Sequence, residues 1–152
     1  MRLSLIAVGR LKPGPLDALA QHYAERIQWP LSVREVEEKR KLPAQEMIER
    51  EGTLLLAALP PSAVLVALDE RGRHMTSAAF AERVGRWRDA GTSDLAFVIG
   101  GAGGLAEAVR ERAQLVLSLG AMTWPHLLAR GLLLEQLYRA QQILAGHPYH
   151  RA

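Results

Sequence analysis

Four short runs, residues 3–8, 63–68, 95–99 and 115–119, are almost wholly apolar at both odd and even positions and rich in Val, Leu and Ile. A strand with one face in water alternates, so runs apolar at both parities must be buried on both faces. Residues 31–36 carry a weaker strand signal. Between these runs apolar residues recur at helical spacing: Leu16, Leu19, Tyr23 and Ile27, then Met47, Leu54 and Ala58, then Phe80, Val84 and Trp87. Strands alternating with helices pair in parallel through crossovers. The expectation is an α/β fold, an open, mostly parallel sheet with helices on both faces. With 152 residues, 49% of them hydrophobic, the chain supports one well-buried core and is read as a single domain over 1–152. Pro60 and Pro61 break the second helix and are too short a segment to link domains.

The sequence holds no cysteine, which removes disulfide frameworks and thiolate metal sites together. The run 3–8 is too short for a signal-peptide core, and no stretch reaches the roughly 18 apolar residues of a membrane span. A cytoplasmic protein without membrane contact is expected. The formal net charge is +3, a weak pointer to an anionic partner. Residues 1–109 hold 14 Lys plus Arg against 14 Asp plus Glu, whereas 110–152 hold five Arg against Glu111 and Glu135. The excess thus lies in the C-terminal third, together with His126, His147 and His150.

A last helix is expected over about 125–145, with Pro125 in its first turn, Thr123 as cap, and Gly146 with Pro148 ending it. Leu127, Leu128, Leu132, Leu133, Leu134 and Leu137 spread apolar surface over more than one helix face. Surface that one sheet cannot cover must bury elsewhere, and a second subunit is the simplest place. A central helix in a monomer core remains the alternative.

Three constellations carry chemistry. Ile99-Gly100-Gly101-Ala102-Gly103-Gly104-Leu105 follows a strand and precedes a helical segment, where backbone amides can approach a nucleotide-like ligand. Gly101, Gly103 and Ala106 also fit the G-x-G-x-x-A fingerprint of a nucleotide-binding oxidoreductase, but after the wrong strand and without the acidic residue roughly 20 positions on. The second runs from Ser118 to His126 at the next strand end, and the two loops can form one pocket. The third is Glu135-Gln136-Leu137-Tyr138-Arg139-Ala140 with Gly146-His147-Pro148-Tyr149-His150-Arg151. Glu135 and Arg139 are spaced as an ordinary helix ion pair, while His, Tyr and Arg crowded at the chain end suit an anionic ligand. Zinc would need His126, His147 and His150 to converge without cysteine support, and no metal site is expected.

Taken together, Ala7-Val8-Gly9, Leu68-Asp69, Ile99-Gly100-Gly101 with Gly104-Leu105, Met122-Thr123 with His126 and Arg130, and Leu137-Tyr138-Arg139-Ala140 with Tyr149-His150-Arg151 resemble the RlmH (YbeA) family. These are ribosomal RNA large subunit methyltransferases of the SPOUT class, and the resemblance covers the whole chain. It differs from the family's usual residues at Ala102-Gly103 and Trp124. The resemblance implies a C-terminal trefoil knot that forms the pocket for S-adenosyl-L-methionine, a homodimer packed through the knot region, and no metal. It implies N3-methylation of pseudouridine 1915 in 23S rRNA on the assembled 70S ribosome. Carried over by position, Leu68, Gly101, Gly120, Ala121, Met122, Thr123, Trp124 and Pro125 would hold the cofactor, largely through backbone groups. His150, Tyr149 and Arg139 would be catalytic: an imidazole as proton acceptor, a phenol as orienting donor and a permanent cation beside the developing imide anion. A ribosome-binding protein without catalysis stays open as a third reading.

Overall fold

The structure, a computed structural model, describes residues 1–151. Ten elements alternate along the chain: β1 (Arg2–Val8), α1 (Pro15–Ala24), β2 (Leu31–Val36), α2 (Ala44–Ala57), β3 (Val64–His74), α3 (Ser77–Asp89), β4 (Asp94–Ile99), α4 (Glu107–Arg112), β5 (Leu115–Ser118) and α5 (His126–Leu144). Every strand pair is parallel, and the sheet order is β2-β1-β4-β3-β5. The α/β sheet expected from the sequence is therefore present.

Strand parity divides the core into two layers. Leu3, Leu5 and Ala7 of β1, with Leu95, Phe97 and Ile99 of β4, face Phe80 and Val84 of α3, Ala20 of α1, and Leu133, Leu134 and Leu137 of α5. Ile6 and Val8, with Ala96 and Val98, face Leu55 of α2 and Val109 at α4. Both faces are covered, which is why the central runs are apolar without alternation. At the edge, β2 keeps Ser32, Val33, Arg34 and Glu35 exposed, and this explains its weaker pattern.

Several boundaries differ from the sequence reading. The first helix ends at Ala24, so Ile27 is buried from the following loop. The third strand continues past Leu68 to His74. Leu68 and Arg73 both pair with Leu117, so residues 69–72 form an excursion between two pairings. Hydrophobicity stops at Leu68 because this excursion leaves the core. Pro125 is the N-cap of α5 rather than a first-turn residue, and no side chain caps that helix. The Thr123 hydroxyl instead donates to Glu70 Oε2 at 2.9 Å. Finally, α5 packs against both α1 and α3, so most of its apolar surface is used inside the chain. Leu128 and Leu132 stay half-buried, a smaller surplus than the sequence implied.

Candidate functional site

In an open parallel sheet the loops after the strands share one edge, and ligands bind there. A cavity of about 430 Å³ lies at that edge, lined by the stretch of β3 from Leu68 to Arg71, the β4 loop (Ile99 to Leu105), the β5 loop and the first turns of α5 (His126, Ala129). Of the residues singled out from the sequence, Leu68, Gly101, Gly120, Met122, Thr123 and Trp124 line it. Ala121 and Pro125 belong to the same loop, are exposed, and stand outside the lining.

The glycine loop is a tight turn, closed by Gly104 N–H donating to the Gly101 carbonyl at 3.0 Å. Gly104 has φ +90°, a backbone conformation that glycine adopts without strain. Gly101 is buried, and a Cβ there would point away from the cavity, 3.0 Å from Val8 Cγ1 and from Glu51 Oε2. Its use is thus backbone closeness to β1 and α2. Burial pushes the Glu51 carboxyl above its ordinary value.

The lip opposite is the 69–72 excursion. Burial alone would raise the Asp69 carboxyl, but hydrogen bonds from Arg71 and the charges of Arg71 and Arg110 bring it below its ordinary value. The Thr123–Glu70 hydrogen bond ties this lip to the β5 loop. Met122 and Trp124, at 74% and 42% exposure, leave apolar surface at the mouth. The sequence carries no sign that Asp69, Glu70 and Arg71 line the cavity, because nothing in a polar run reveals that it folds back beside its own strand.

His126 begins α5 and approaches Gly9, whose Cβ would meet its Nε2 at 3.4 Å. Burial, and then the charge of Arg130, lower the His126 pKa from its ordinary value. Arg130 is 2% exposed and donates to the carbonyls of Val8 (3.3 Å) and Gly9 (2.8 Å) and to the Glu35 carboxylate. It thereby fixes the end of β1 against α5.

Arg139, Tyr149 and His150 form a second cluster. Arg139 pairs with Glu135, its guanidinium stacks over the Tyr149 ring at 4.8 Å, and its Nη1 lies 3.1 Å from His150 Nδ1. Tyr149 donates to Glu135 Oε1 at 3.0 Å, and burial together with that bond pushes its phenol up to about 12. It stays protonated and remains a donor. Guanidinium has no lone pair to offer, so His150 Nδ1 must be the acceptor and Nε2 carries the hydrogen. None of the three lines the cavity. Arg139 lies ten residues along α5 from Ala129, the last residue of that helix in the lining, about 15 Å at 1.5 Å per residue. His147 and His150 follow the far end of α5, so the three histidines do not converge, and among the described residues no group of three potential ligands forms a metal site.

The model of the family described as "Predicted SPOUT methyltransferase" matches residues 1–150. Curated relatives include ribosomal RNA large subunit methyltransferase H of Rhodospirillum centenum, 60% identical over the whole of both chains. The protein of the same name from Paramagnetospirillum magneticum is 56% identical over 99% of each. Among solved structures, a probable methyltransferase of Bordetella pertussis has TM-score 0.57 at 15% identity, covering 91% of this chain and 95% of that one. The SpoU methyltransferase AviRb of Streptomyces viridochromogenes, solved with AdoMet, has TM-score 0.50 at 18% identity, and its match covers 93% of this chain and 58% of AviRb. These neighbours share the fold. A family model spanning nearly the whole sequence, with relatives identical at more than half their positions from end to end, places this chain in the SPOUT methyltransferases, within the family of ribosomal RNA large subunit methyltransferase H.

Proposed function

We propose that the protein transfers a methyl group from S-adenosylmethionine to large-subunit ribosomal RNA, at N3 of a pseudouridine in the assembled ribosome, acting in the cytoplasm as a homodimer. The observation that carries this reading is one cavity at the strand-end edge, in a chain 60% identical throughout to a protein named as a ribosomal RNA large subunit methyltransferase. The residues present fit the cofactor. A cavity of about 430 Å³ falls in the range of about 300–1,000 Å³ for small-molecule sites. Its lining combines apolar Leu68, Ile99, Leu117 and Leu119 with glycine backbone, so an adenosyl group can meet carbon on its faces and amides at its edge. The C-terminal trefoil knot belongs to the same reading. After β5, at the sheet edge, α5 returns to pack on α1, α3 and β4, the return path that a knotted C-terminus needs.

When bound, S-adenosylmethionine supplies an already activated methyl group, so the protein has to align the reactants and help N3 lose its proton. His150 can take that proton only once Arg139 releases Nδ1, because that nitrogen holds its one available lone pair. Arg139 then faces the developing imide anion, and Tyr149 orients the base as a donor once its single O–H leaves Glu135. Arg139 lies about 15 Å along α5 from the last lining residue of its own pocket, Ala129, and the pocket mouth exposes Met122 and Trp124. The tail of one protomer completing the pocket of the other accounts for both.

Calorimetry with S-adenosylmethionine and with NAD separates this reading from the oxidoreductase, and micromolar binding of NAD alone would overturn it. Mass spectrometry of digested rRNA after incubation with ribosomes or with an isolated hairpin tests the substrate. One methyl added to the pseudouridine is expected with ribosomes, and equal modification of the hairpin contradicts the assembled-ribosome setting. Binding to ribosomes without methyl transfer would identify a non-catalytic protein.

A further inference from the structure

The sequence places the cationic excess in the last third of the chain, but the structure engages four of its five arginines internally and leaves Arg151 exposed without an ion pair among the described residues. Arg110 bonds the Leu105 carbonyl and pairs with Asp69, while Arg112 bonds the Ala63 carbonyl and Gln114. Arg130 and Arg139 are held by Glu35 and Glu135. Outside that third, exposed cations without an ion pair among the described residues include Arg26, Arg34 and Arg73, and four more that gather on two neighbouring loops. Arg10 and Lys12 on the β1–α1 loop, and Lys39 and Lys41 on the β2–α2 loop, are exposed and make no ion pair among the described residues.

Because all strands are parallel, these two loops open onto the same edge as the cavity, beside its β4 wall. They are held together there: Gly9 N–H donates to the Val36 carbonyl at 2.9 Å, and Leu11 N–H to Glu35 Oε2 at 2.7 Å. Glu38 accepts from Arg40 at 2.8 Å and from Arg50 at 3.0 Å, which pins the second loop to α2. Two neighbouring carboxylates are thus already committed, Glu35 to Arg130 and Glu38 to two arginines, leaving Glu37, with Asp17 and Glu46 in the first turns of the following helices, against these four cations. A fixed cationic rim without an apolar centre suits a chain of phosphates, since each contact releases a counterion and loops already ordered lose little entropy on binding.

We propose that the β1–α1 and β2–α2 loops grip the phosphate backbone of the substrate RNA through Arg10, Lys12, Lys39 and Lys41, a proposal that rests on the RNA-methyltransferase reading. The test is retention on ribosomes and on protein-free 23S rRNA across a salt series. It compares the wild-type chain, the variant Arg10→Gln/Lys12→Gln/Lys39→Gln/Lys41→Gln, and an Arg86→Gln/Arg88→Gln control on α3. The loop variant should bind at least tenfold more weakly at low salt, and its log K against log salt slope should be shallower by about 3, roughly 0.7–0.9 per lost phosphate contact. Calorimetric binding of S-adenosylmethionine should be equal in all three. An unchanged slope in the loop variant, or the same loss in the α3 control, overturns the proposal. Loss on ribosomes but not on protein-free rRNA also overturns it, by identifying an acidic protein as the partner. The two readings fail separately: loop-dependent RNA binding with no methyl transfer by the wild type sinks the activity alone, and transfer with unaltered binding by the loop variant sinks the surface alone.

Discussion

Arg130 illustrates how one buried cation can organise a site without touching a ligand. Its guanidinium joins α5 to the last carbonyls of β1 and to Glu35. Glu35 would be raised by burial, yet the bonds from Arg130 and Leu11 N–H with the Arg130 and Arg10 charges bring it below its ordinary value. Replacing Arg130 by Met removes the guanidinium from Glu35, which keeps only the Leu11 N–H, and from the Val8 and Gly9 carbonyls. The expected loss is about 3 kcal/mol, the low end for a broken buried pair because Glu35 retains partial solvent access, read from urea denaturation. His126 gives a pH signature. Its folded pKa is lowered, so its stabilising share is present above the unfolded value near 6.5 and is lost as pH falls through the folded value. His126→Gln should flatten the fall in stability below pH 6.5, and equal pH dependence in the two proteins would show that another group is responsible.

Between elements, contact distances decide which small residues are irreplaceable. Gly52 lets α2 approach the N-cap of α4, where a Cβ would come 2.7 Å from Ala106 Cβ. That atom cannot rotate away, and Ala106 follows the glycine loop directly. At Gly85 a Cβ would meet the tip of Leu144 at 2.8 Å, and a side-chain end can move. Gly52→Ala should therefore cost about 1–3 kcal/mol by overpacking and weaken S-adenosylmethionine binding in calorimetry. Gly85→Ala should leave that binding unchanged, and equal loss in both variants would disprove a link between α2 and the pocket loop. These distances had no sequence signal, because a helical glycine is silent about its neighbour. The helices themselves were legible from period, and their ends were not where buried packing ran past the last hydrogen bond, as at Ile27.

For the whole molecule, the separation of cavity and tail cluster requires a second copy if both serve one reaction. Gly101→Asp should disable the pocket by driving a carboxylate between Val8 and the desolvated Glu51, while His150→Ala removes the proposed proton acceptor. Each homodimer should be inactive. In mixed dimers with shared sites, one pocket inherits both defects and the other neither, so about half of the dimer's activity should return for a completed wild-type pocket. Heterodimers as inactive as their parents would refute the shared site. Light scattering should give a dimer at micromolar concentration, and a monomer would remove the basis for it.

The apolar runs at both parities determined the doubly covered sheet, since no other environment accepts strands without alternation. The glycine-rich loop after β4 and the 118–126 segment after β5 located the cavity, because strand ends of a parallel sheet share an edge. Tertiary structure alone decided the rest. It turned Asp69, Glu70 and Arg71 into a pocket lip by folding a polar excursion back between two pairings with Leu117. It also moved Thr123 from helix cap to cross-loop tie. The reversal of the charge reading has the same cause. A sequence counts cations, but only folding shows which ones meet a carboxylate, and here three arginines of the last third are spent on Asp69, Glu35 and Glu135 while Arg10, Lys12, Lys39 and Lys41 of the first third face solvent.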